Sequence, residues 1–230
     1  NEKMLLDFRT AKKIAAKHGT PVIAISEKRI KQNYNAFKKY MPRVEVHYAV
    51  KANGHKGVLN ILRNLGSNFD VASFGEIEYL LSIGVDATKL IYSNPVKLEQ
   101  DIIRAYNVGV EWFVYDSDAE IKKLARYAPE SEVVLRIAVS NANAVYKLSS
   151  KFGAEPKHAI RLLLKAKKSG LNPTGLTFNA GSHTLGAADY IEAIKLSKKI
   201  FKEAKKEGIK LDCLDIGGGY PPLGDEDHDS

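Results

Sequence analysis

The sequence predicts an α/β protein built on a (β/α)8 TIM-type barrel, in which eight parallel strands alternate with helices. Short runs rich in β-branched and aromatic residues alternate with longer runs whose apolar residues recur every three or four positions. Several helical runs end at a glycine, which tolerates the left-handed conformation that closes a helix. The resulting order of strand, helix, glycine and strand is typical of βαβ units, which require a parallel sheet. A doubly wound parallel sheet is the alternative that this pattern leaves open.

The predicted elements follow one another in chain order. An opening helix over residues 8–18 precedes the first strand. Eight segments are predicted as strands: 21–26, 44–51, 69–73, 90–94, 112–117, 133–139, 175–182 and 211–219. Apolar residues at helical spacing mark three of the helices between them: Val58, Ile61, Leu62 and Leu65, then Ile160, Leu163 and Leu164, then Ile191, Ile194 and Phe201. Helices are expected to end at Gly66, Gly84, Gly109, Gly170 and Gly208.

The pattern changes after the eighth predicted strand, where the sequence reads "YPPLGDEDHDS". Prolines followed by acidic residues do not predict a helix, so the barrel is expected to lack its final helix. We therefore predict one barrel domain over residues 1–222 and an acidic, disordered tail over residues 223–230.

The composition is ordinary for a globular protein. Of the 230 residues, 44% are hydrophobic, which is enough to build a substantial core. No apolar run is long enough to span a bilayer, so no membrane association is expected. Cys213 is the only cysteine, so we predict no internal disulfide and no metal site, and we expect a cytoplasmic location. The net charge is +8, but the lysines lie mostly in helical segments such as "KLSKKIFKEAKKEG", where they form a solvated face. Nucleic-acid binding is therefore not expected.

Polar residues stand at the carboxyl ends of the predicted strands, where (β/α)8 barrels carry their chemistry. In chain order they are Lys51, Asp70, Ser73, Asn94, Asp116, Arg136, Asn179, Ser182, Gly217, Gly218 and Gly219. Lys51 ends the alternating run "VHYAVK", and two interpretations remain open for it. Its stem lies along the barrel rim with the ammonium group in water, or its amine is a nucleophile that forms a Schiff base.

The segment "DIGGGYP" places three consecutive glycines directly after an apolar strand. Glycine amides can approach and bind a phosphate, although a tight turn explains the same residues equally well. The segment lacks the spacing of dinucleotide-binding and triphosphate-binding loops. Ser182, in "FNAGSH", offers a hydroxyl group to the same phosphate. A lysine together with a phosphate site indicates pyridoxal phosphate, which needs an amine for its aldehyde and a separate anion site.

Seven motifs resemble a single enzyme family. They are "YAVKAN", "FDVASFGEIEYLLSIGV", "IYSNPVK", "VYDSDAEIKKLARYAP", "LRIAV", "LSSKFGA" and "LDIGGGYP". In this order, from about residue 5 to residue 222, they resemble the ornithine/lysine/arginine/diaminopimelate decarboxylases. These are pyridoxal-phosphate enzymes with an alanine-racemase-like barrel (fold type III). The variants "LRIAV … LSSKFG" and "DIGGGYP" are more similar to the ornithine/lysine branch than to the diaminopimelate branch.

This resemblance implies a role for each matching residue. Lys51 matches the lysine that binds pyridoxal 5′-phosphate covalently, and Asp70 and Glu76 match carboxylates of the same pocket. Arg136 matches the arginine near the cofactor ring. The phosphate-binding groups are matched by Ser182, Gly217, Gly218 and Gly219. The implied reaction is the decarboxylation of a basic amino acid, ornithine or lysine, to its amine and carbon dioxide, as in polyamine biosynthesis.

Two departures from the family pattern leave a second interpretation open. Asn179, in "FNAGS", stands where the family usually has a histidine that stacks on the cofactor ring. The family also continues into a C-terminal β-domain with substrate-binding groups and most contacts of its homodimer, and we expect this portion to be absent here. The chain is therefore expected to be either the barrel domain of an ornithine/lysine-type decarboxylase, whose substrate is a small-molecule basic amino acid, or a non-catalytic relative or engineered scaffold that still binds the cofactor. A racemase, which shares the barrel, is a poorer third interpretation.

Overall fold

The computed structural model describes residues 6–139, 144–146, 151–184 and 187–220. The helices in these ranges are α1 (Phe8–His18), α2 (Glu27–Tyr40), α3 (Lys56–Asn64), α4 (Phe74–Ser82), α5 (Glu99–Asn107), α6 (Asp118–Tyr127), α7 (Ala159–Lys168) and α8 (Ala188–Lys206). The strands are β1 (His47–Ala49), β2 (Asn68–Val71), β3 (Leu90–Tyr92), β4 (Trp112–Tyr115), β5 (Glu132–Arg136), β6 (Ala144–Tyr146), β7 (Asn172–Thr177), β8 (Ser182–Thr184) and β9 (Cys213–Asp215). Short 3-10 helices cover Val50–Ala52, Ala87–Lys89 and Pro156–His158.

The chain divides into two compact units. The first unit comprises Asn1–Val46 and His55–Ser67, and it holds α1, α2 and α3. Its opening helix has the predicted bounds, because the Asp7 carboxylate accepts a hydrogen bond from the Thr10 amide at 2.8 Å and caps the first turn. Helix α2 packs against α3 within this unit.

The strand predicted at residues 21–26 was wrong. Residues 22–26 form no strand, and Ser26 instead caps α2 by accepting a hydrogen bond from the Arg29 amide at 3.2 Å. The β-branched residues there suggested a strand, but β propensity stabilises a strand only when a neighbouring strand supplies backbone partners. Seven of the eight predicted strands are confirmed, with shorter bounds than the sequence suggested.

The second unit, His47–Gly54 with Asn68–Ser230, is built on a seven-stranded parallel sheet. The strand order is β1-β2-β3-β4-β5-β7-β9, so each strand pairs with its predecessor in the sheet. A doubly wound sheet reverses its strand order at a switch point, and this sheet does not reverse. The winding is that of a barrel of β/α units, as predicted. Its inner strands carry buried apolar residues, among which Phe69, Val114, Val134 and Leu176 are completely buried.

A small antiparallel ribbon accompanies the sheet and was not predicted. Strands β6 and β8 pair with Ala144 opposite Thr184 and Tyr146 opposite Ser182. The two strands come from the segments that follow β5 and β7, so the ribbon joins two neighbouring strand extensions.

The glycines predicted to end helices, Gly66, Gly84, Gly109, Gly170 and Gly208, all have φ between 71° and 93°. The apolar residues that marked α8 in the sequence, Ile191, Ile194 and Phe201, are not among its buried residues. Ile191 and Ile194 are 48% and 41% exposed, whereas Ala193, Ile200 and Ala204 are buried. Small alanines allow a helix to approach its neighbours closely, so apolar spacing alone did not identify the packed face. In the described ranges, no helix is both long enough and apolar enough to cross a membrane.

Candidate active site

Lys51 directly follows the first strand of the sheet. It lies in the 3-10 turn Val50–Ala52, whose first residue is 3% exposed and anchors the turn, whereas the Lys51 side chain is exposed. The Tyr48 hydroxyl donates a hydrogen bond to the Asn53 carbonyl at 3.2 Å and closes the segment around the lysine. The structure therefore holds the Lys51 backbone in place and leaves its side chain accessible, as a covalent nucleophile requires.

Asp70 lies on β2, between β1 and β3. In the parallel register it is opposite Ala49 on one side and Ile91 on the other. Lys51 and Ser93 each follow one of these partners by two residues, so strand pairing brings Lys51, Asp70 and Ser93 to the same edge of the sheet. The Ser93 hydroxyl donates a hydrogen bond to the Asp70 carboxylate.

The pKa of the Asp70 carboxyl is raised to about 6. Removal of the carboxylate from water is the main cause, and the negative charges of Asp215 and Glu76 act in the same direction. The Ser93 hydrogen bond and the positive charge of Lys51 lower the pKa. Asp70 is therefore mostly charged at neutral pH, and its carboxylate lies close enough to Lys51 and to Asp215 to interact with both.

Glu76 has a clear structural function in the first turn of α4. Its carboxylate accepts a hydrogen bond from the Ala72 amide at 2.7 Å, while its own amide donates to the Ser73 hydroxyl at 3.3 Å. Ser73 is the N-cap residue of the helix, and both hydrogen bonds stabilise the N-terminus. Glu76 contributes its charge to the surroundings of Asp70, and its carboxylate oxygen is held at the cap.

Arg136 ends β5 and lies among carboxylates from three other strands. Burial lowers the pKa of its guanidinium group, and Asp116, Asp215 and Asp70 raise it. The guanidinium carbon lies 5.3 Å from the centre of the Phe152 ring, which favours a cation–π contact. Arg136 therefore places a fixed positive charge among the acidic side chains at the strand ends.

The glycine turn begins directly after β9 and is held by Asp215. One carboxylate oxygen of Asp215 accepts a hydrogen bond from the Gly217 amide at 2.8 Å, and the other accepts from the Thr177 hydroxyl at 2.7 Å. Gly217 has a φ of 71°, and a Cβ atom there would lie 2.4 Å from the Phe178 carbonyl oxygen. Only glycine fits at this position.

The next two glycines have a different environment. A Cβ atom on Gly218 would meet no heavy atom within 4 Å, and Gly219 has a φ of 93°. The Tyr190 hydroxyl donates a hydrogen bond to the Gly218 carbonyl at 2.8 Å, and the Tyr190 ring stacks on Tyr220 with ring centres 5.4 Å apart. The carbonyl side of the turn is thus fixed by α8. Because the Gly217 amide is already bound to Asp215, the amides that suit an anion are those of Gly218 and Gly219.

Asn179 and Ser182 follow β7. The Asn179 side-chain oxygen accepts a hydrogen bond from the Gly181 amide at 2.8 Å, so the amide group stabilises its own turn. The backbone of Ser182 pairs with that of Tyr146 in the small ribbon. The Ser182 hydroxyl, predicted to bind phosphate, lies outside the described part of the structure.

The structure thus brings Lys51, Asp70 and Arg136 into one electrostatic neighbourhood, whereas Glu76 and Asn179 use their side chains for local turns. Two residues of this neighbourhood were missed as site residues. Ser93 and Asp215 each stand at the carboxyl end of a predicted strand, which was the available signal. Their importance depends on a side-chain hydrogen bond to a neighbouring strand or turn, and no sequence motif shows such a bond.

Residues 27–230 match the family described as "Pyridoxal-dependent decarboxylase, pyridoxal binding domain". The lysine/ornithine decarboxylase of Selenomonas ruminantium is 40% identical over 216 residues, which cover 94% of this chain and 55% of that protein. Antizyme inhibitor 2 of Xenopus laevis is 41% identical over 80% of this chain and 41% of its own length. The crystal structure of the Selenomonas ruminantium lysine decarboxylase with PLP and cadaverine aligns with a TM-score of 0.88 at 39% identity, over 94% of this chain and 55% of that one.

The chain therefore spans about half the length of the curated relatives it matches. The matched family region nevertheless includes Lys51, Asp70, Ser93, Arg136 and the glycine turn. The predicted barrel fold agrees with that of the aligned crystal structure. This chain belongs to the pyridoxal-dependent decarboxylase family, and residues 27–230 are the pyridoxal-binding domain of that family.

Proposed function

We propose that this chain binds pyridoxal 5′-phosphate at the carboxyl ends of β1 and β9 and decarboxylates a basic amino acid, ornithine or lysine, to its amine and carbon dioxide. The similarity to a lysine/ornithine decarboxylase, and to a crystal structure containing PLP and cadaverine, supports this substrate class. The matched region covers 55% of the lysine/ornithine decarboxylase. The decarboxylase activity of the complete protein is therefore part of this proposal.

One observation carries the proposal. Asp70 interacts electrostatically with Lys51 on one side and with Asp215 on the other, and Asp215 is hydrogen-bonded to the Gly217 amide. The lysine after β1 and the glycine turn after β9 are therefore linked through the same pair of carboxylates. An amine and an anion site that share one neighbourhood are what a phosphorylated aldehyde requires.

The glycine turn fits a phosphate group. Around Gly218 there is open space where a side chain would stand, and Gly219 has a backbone conformation that side chains disfavour. In the described ranges no hydrogen bond from either amide to another protein group is formed. Two adjacent backbone amides that bind no other described group are a suitable site for a phosphate.

Each residue has a distinct function in this proposal. Bound pyridoxal phosphate supplies an aldehyde that reacts with amines and a ring that accepts the electron pair left by carbon dioxide. Lys51 holds the aldehyde end, and the amides of Gly218 and Gly219 hold the phosphate end. Asp70 presents a carboxylate that interacts electrostatically with the Lys51 amine. Arg136 balances the negative charge of the carboxylates around it.

A second candidate function is cofactor binding without turnover. Asn179 supports it, because an amide that stabilises its own turn offers no aromatic face for stacking on the cofactor ring. The similarity to antizyme inhibitor 2, a relative whose name is not that of a decarboxylase, points in the same direction. The two candidates share the cofactor site and differ only in catalysis.

Absorbance spectroscopy tests cofactor binding. Addition of pyridoxal phosphate to the wild-type chain should produce the near-visible band of a covalent lysine adduct, and borohydride reduction should fix the cofactor on the peptide that contains Lys51. The Lys51→Ala variant should lose both signals. Lys89→Ala, which removes an exposed lysine beside β3, is the matched control and should keep both. Fixation of the cofactor on other lysines, with no difference for Lys51→Ala, would refute the proposed site.

Release of carbon dioxide from lysine, ornithine, arginine and diaminopimelate separates the two candidate functions. We expect turnover of ornithine or lysine by the complete protein. Covalent binding at Lys51 without turnover of any of the four amino acids would establish the non-catalytic candidate instead. In that case Asn179→His should tighten cofactor binding, because a histidine ring can stack on the cofactor.

The assembly and location of the protein are also proposals. The resemblance implies a homodimer, which sedimentation of the complete protein would test. A cytoplasmic location is supported by the single cysteine, Cys213, and localisation of a tagged protein would test it.

A further inference from the structure

The loop that follows β3 carries a hydroxyl group into the neighbourhood of Lys51. Ser93 is the first residue after β3, and its amide donates a hydrogen bond to the Val71 carbonyl at 2.9 Å, which continues the pairing of β2 and β3 by one residue. Its hydroxyl donates to Asp70 and lies 3.4 Å from the same Val71 carbonyl. The backbone contact thus fixes the position from which the hydroxyl reaches Asp70.

The remainder of this loop is firmly held. The Asn94 side-chain amide lies 3.4 Å from the Ala72 carbonyl oxygen on the neighbouring strand extension. The Lys97 amine is buried and donates to the carbonyls of Asn94 and Val114 at 2.9 and 2.6 Å. It also forms an ion pair with Glu120 at 2.8 Å. A loop held at both ends presents its first side chain in one orientation.

Asp70 needs such support because charges surround it. Four charged side chains interact electrostatically with Asp70. They are Lys51 after β1, Glu76 on α4, Arg136 at the end of β5 and Asp215 at the end of β9. Two of these groups attract a carboxylate and two repel it. A hydrogen-bond donor that fixes one carboxylate oxygen therefore decides which orientation the group takes among these competing charges.

We propose that Ser93 is a positioning residue of this site, whose hydroxyl holds the Asp70 carboxylate in the orientation in which it interacts with the Lys51 amine. This role of Ser93 rests on the proposed function in one respect only, namely that Lys51 is the lysine that binds the cofactor. Ser93 acts through Asp70 and is not itself a catalytic residue. A hydrogen bond that a carboxylate accepts also stabilises its charged form, so loss of the hydroxyl makes Asp70 easier to protonate.

Titration of Asp70 in the cofactor-free chain tests this inference directly. The chain is labelled with ¹³C at the aspartate carboxyl carbons, and Asp70→Asn identifies the resonance. We expect the Asp70 midpoint near pH 6 in the wild type. In Ser93→Ala it should rise by about one pH unit, as expected when a charge-assisted hydrogen bond is lost. Ser93→Thr keeps a hydroxyl group and should restore the wild-type midpoint.

Ser82→Ala is the matched control. The Ser82 hydroxyl donates only to a carbonyl of its own helix, that of Tyr79 at 2.7 Å, so its removal should leave the Asp70 titration unchanged. Thermal unfolding shows that each variant is folded before it is titrated. An Asp70 midpoint that is the same in folded Ser93→Ala and in the wild type would overturn the inference.

The rate of adduct formation with pyridoxal phosphate gives a second readout. In the wild type, the pH dependence of this rate should contain a step at the Asp70 midpoint, and in Ser93→Ala this step should move upward together with the carboxyl resonance. If the wild type forms no adduct, the proposed function fails while the carboxyl titration still decides the role of Ser93. If the adduct forms but its pH profile is identical in both proteins, the positioning role is refuted and cofactor binding stands.

Discussion

Replacement of Lys97 by methionine probes the buried ion pair below the β3 loop. The Lys97 side chain is 0% exposed and that of its partner Glu120 is 2% exposed. Burial lowers the pKa of the Lys97 amine to about 8, and the charge and hydrogen bond of Glu120 oppose this shift. Methionine retains most of the volume but leaves the carbonyls of Asn94 and Val114 without this donor. Glu120 keeps its ion pair with Lys123 at 2.6 Å.

Two magnitudes follow for Lys97→Met. At pH 7 the variant loses a buried hydrogen-bond donor and the ion pair with Glu120, and this should lower the free energy of unfolding by about 2–4 kcal/mol. The deficit should then grow with pH. The folded state binds the Lys97 proton more weakly than the unfolded chain, so the wild type gains stability between about pH 8 and the ordinary lysine pKa of 10.5. A shift of this size corresponds to about 3 kcal/mol at full extent, and about 2 kcal/mol of it should appear by pH 10.

Urea unfolding of both proteins at pH 7, 8, 9 and 10 measures this deficit. Lys89→Met, at an exposed lysine next to the same strand, should cost less than about 0.5 kcal/mol at every pH and controls for the general effect of removing a lysine. A Lys97→Met deficit that stays constant from pH 7 to pH 10 would refute the reasoning, because it would mean that folding does not change the affinity of Lys97 for its proton.

Three further predictions concern the glycine turn and the surface. Gly217→Ala should lower the free energy of unfolding by about 1–3 kcal/mol, because its Cβ atom would lie against the Phe178 carbonyl. Gly218→Ala should leave stability unchanged and weaken cofactor binding. Urea unfolding and cofactor titration distinguish the two variants. Tyr190→Phe should weaken cofactor binding several-fold without loss of the lysine adduct, since it removes the hydrogen bond to the turn; an unchanged dissociation constant would contradict this. Asp118→Asn should cost no more than about 1 kcal/mol, because exposed ion pairs contribute little, and a larger loss in thermal unfolding would contradict this.

The sequence predicted the parts of the site that depend on strand ends. Lys51, Asp70 and Arg136 each follow or end an apolar run, and the parallel register then brings strand ends together. The glycine turn was predicted for the same reason. What the sequence did not show is that the Asp215 carboxylate accepts a hydrogen bond from the Gly217 amide, which distinguishes this amide from those of the next two glycines. That division depends on side-chain geometry within a single turn.

Two features of the fold could not be derived from apolar residues alone. The apolar residues at 22–25 suggested a strand that does not form, and Ile191 and Ile194 correctly marked a helix but are not its buried residues. In both cases the residues are apolar, but strand pairing and helix packing also depend on the neighbouring strand or helix that they contact. Ala193 and Ala204 are buried residues of α8 although their side chains are small, and small side chains allow close approach to a packed neighbour such as α7.

The order of strands in the sheet has a consequence for synthesis of the protein. Each strand from β2 to β9 in the seven-stranded sheet finds its hydrogen-bonding neighbour in a segment that the ribosome has already released. The sheet can therefore grow from one edge as the chain emerges, and no strand needs to wait for a distant partner still to be translated. Nascent chains arrested after β5 should accordingly protect the backbone amides of β2 to β4 from exchange, before the residues that form the glycine turn exist.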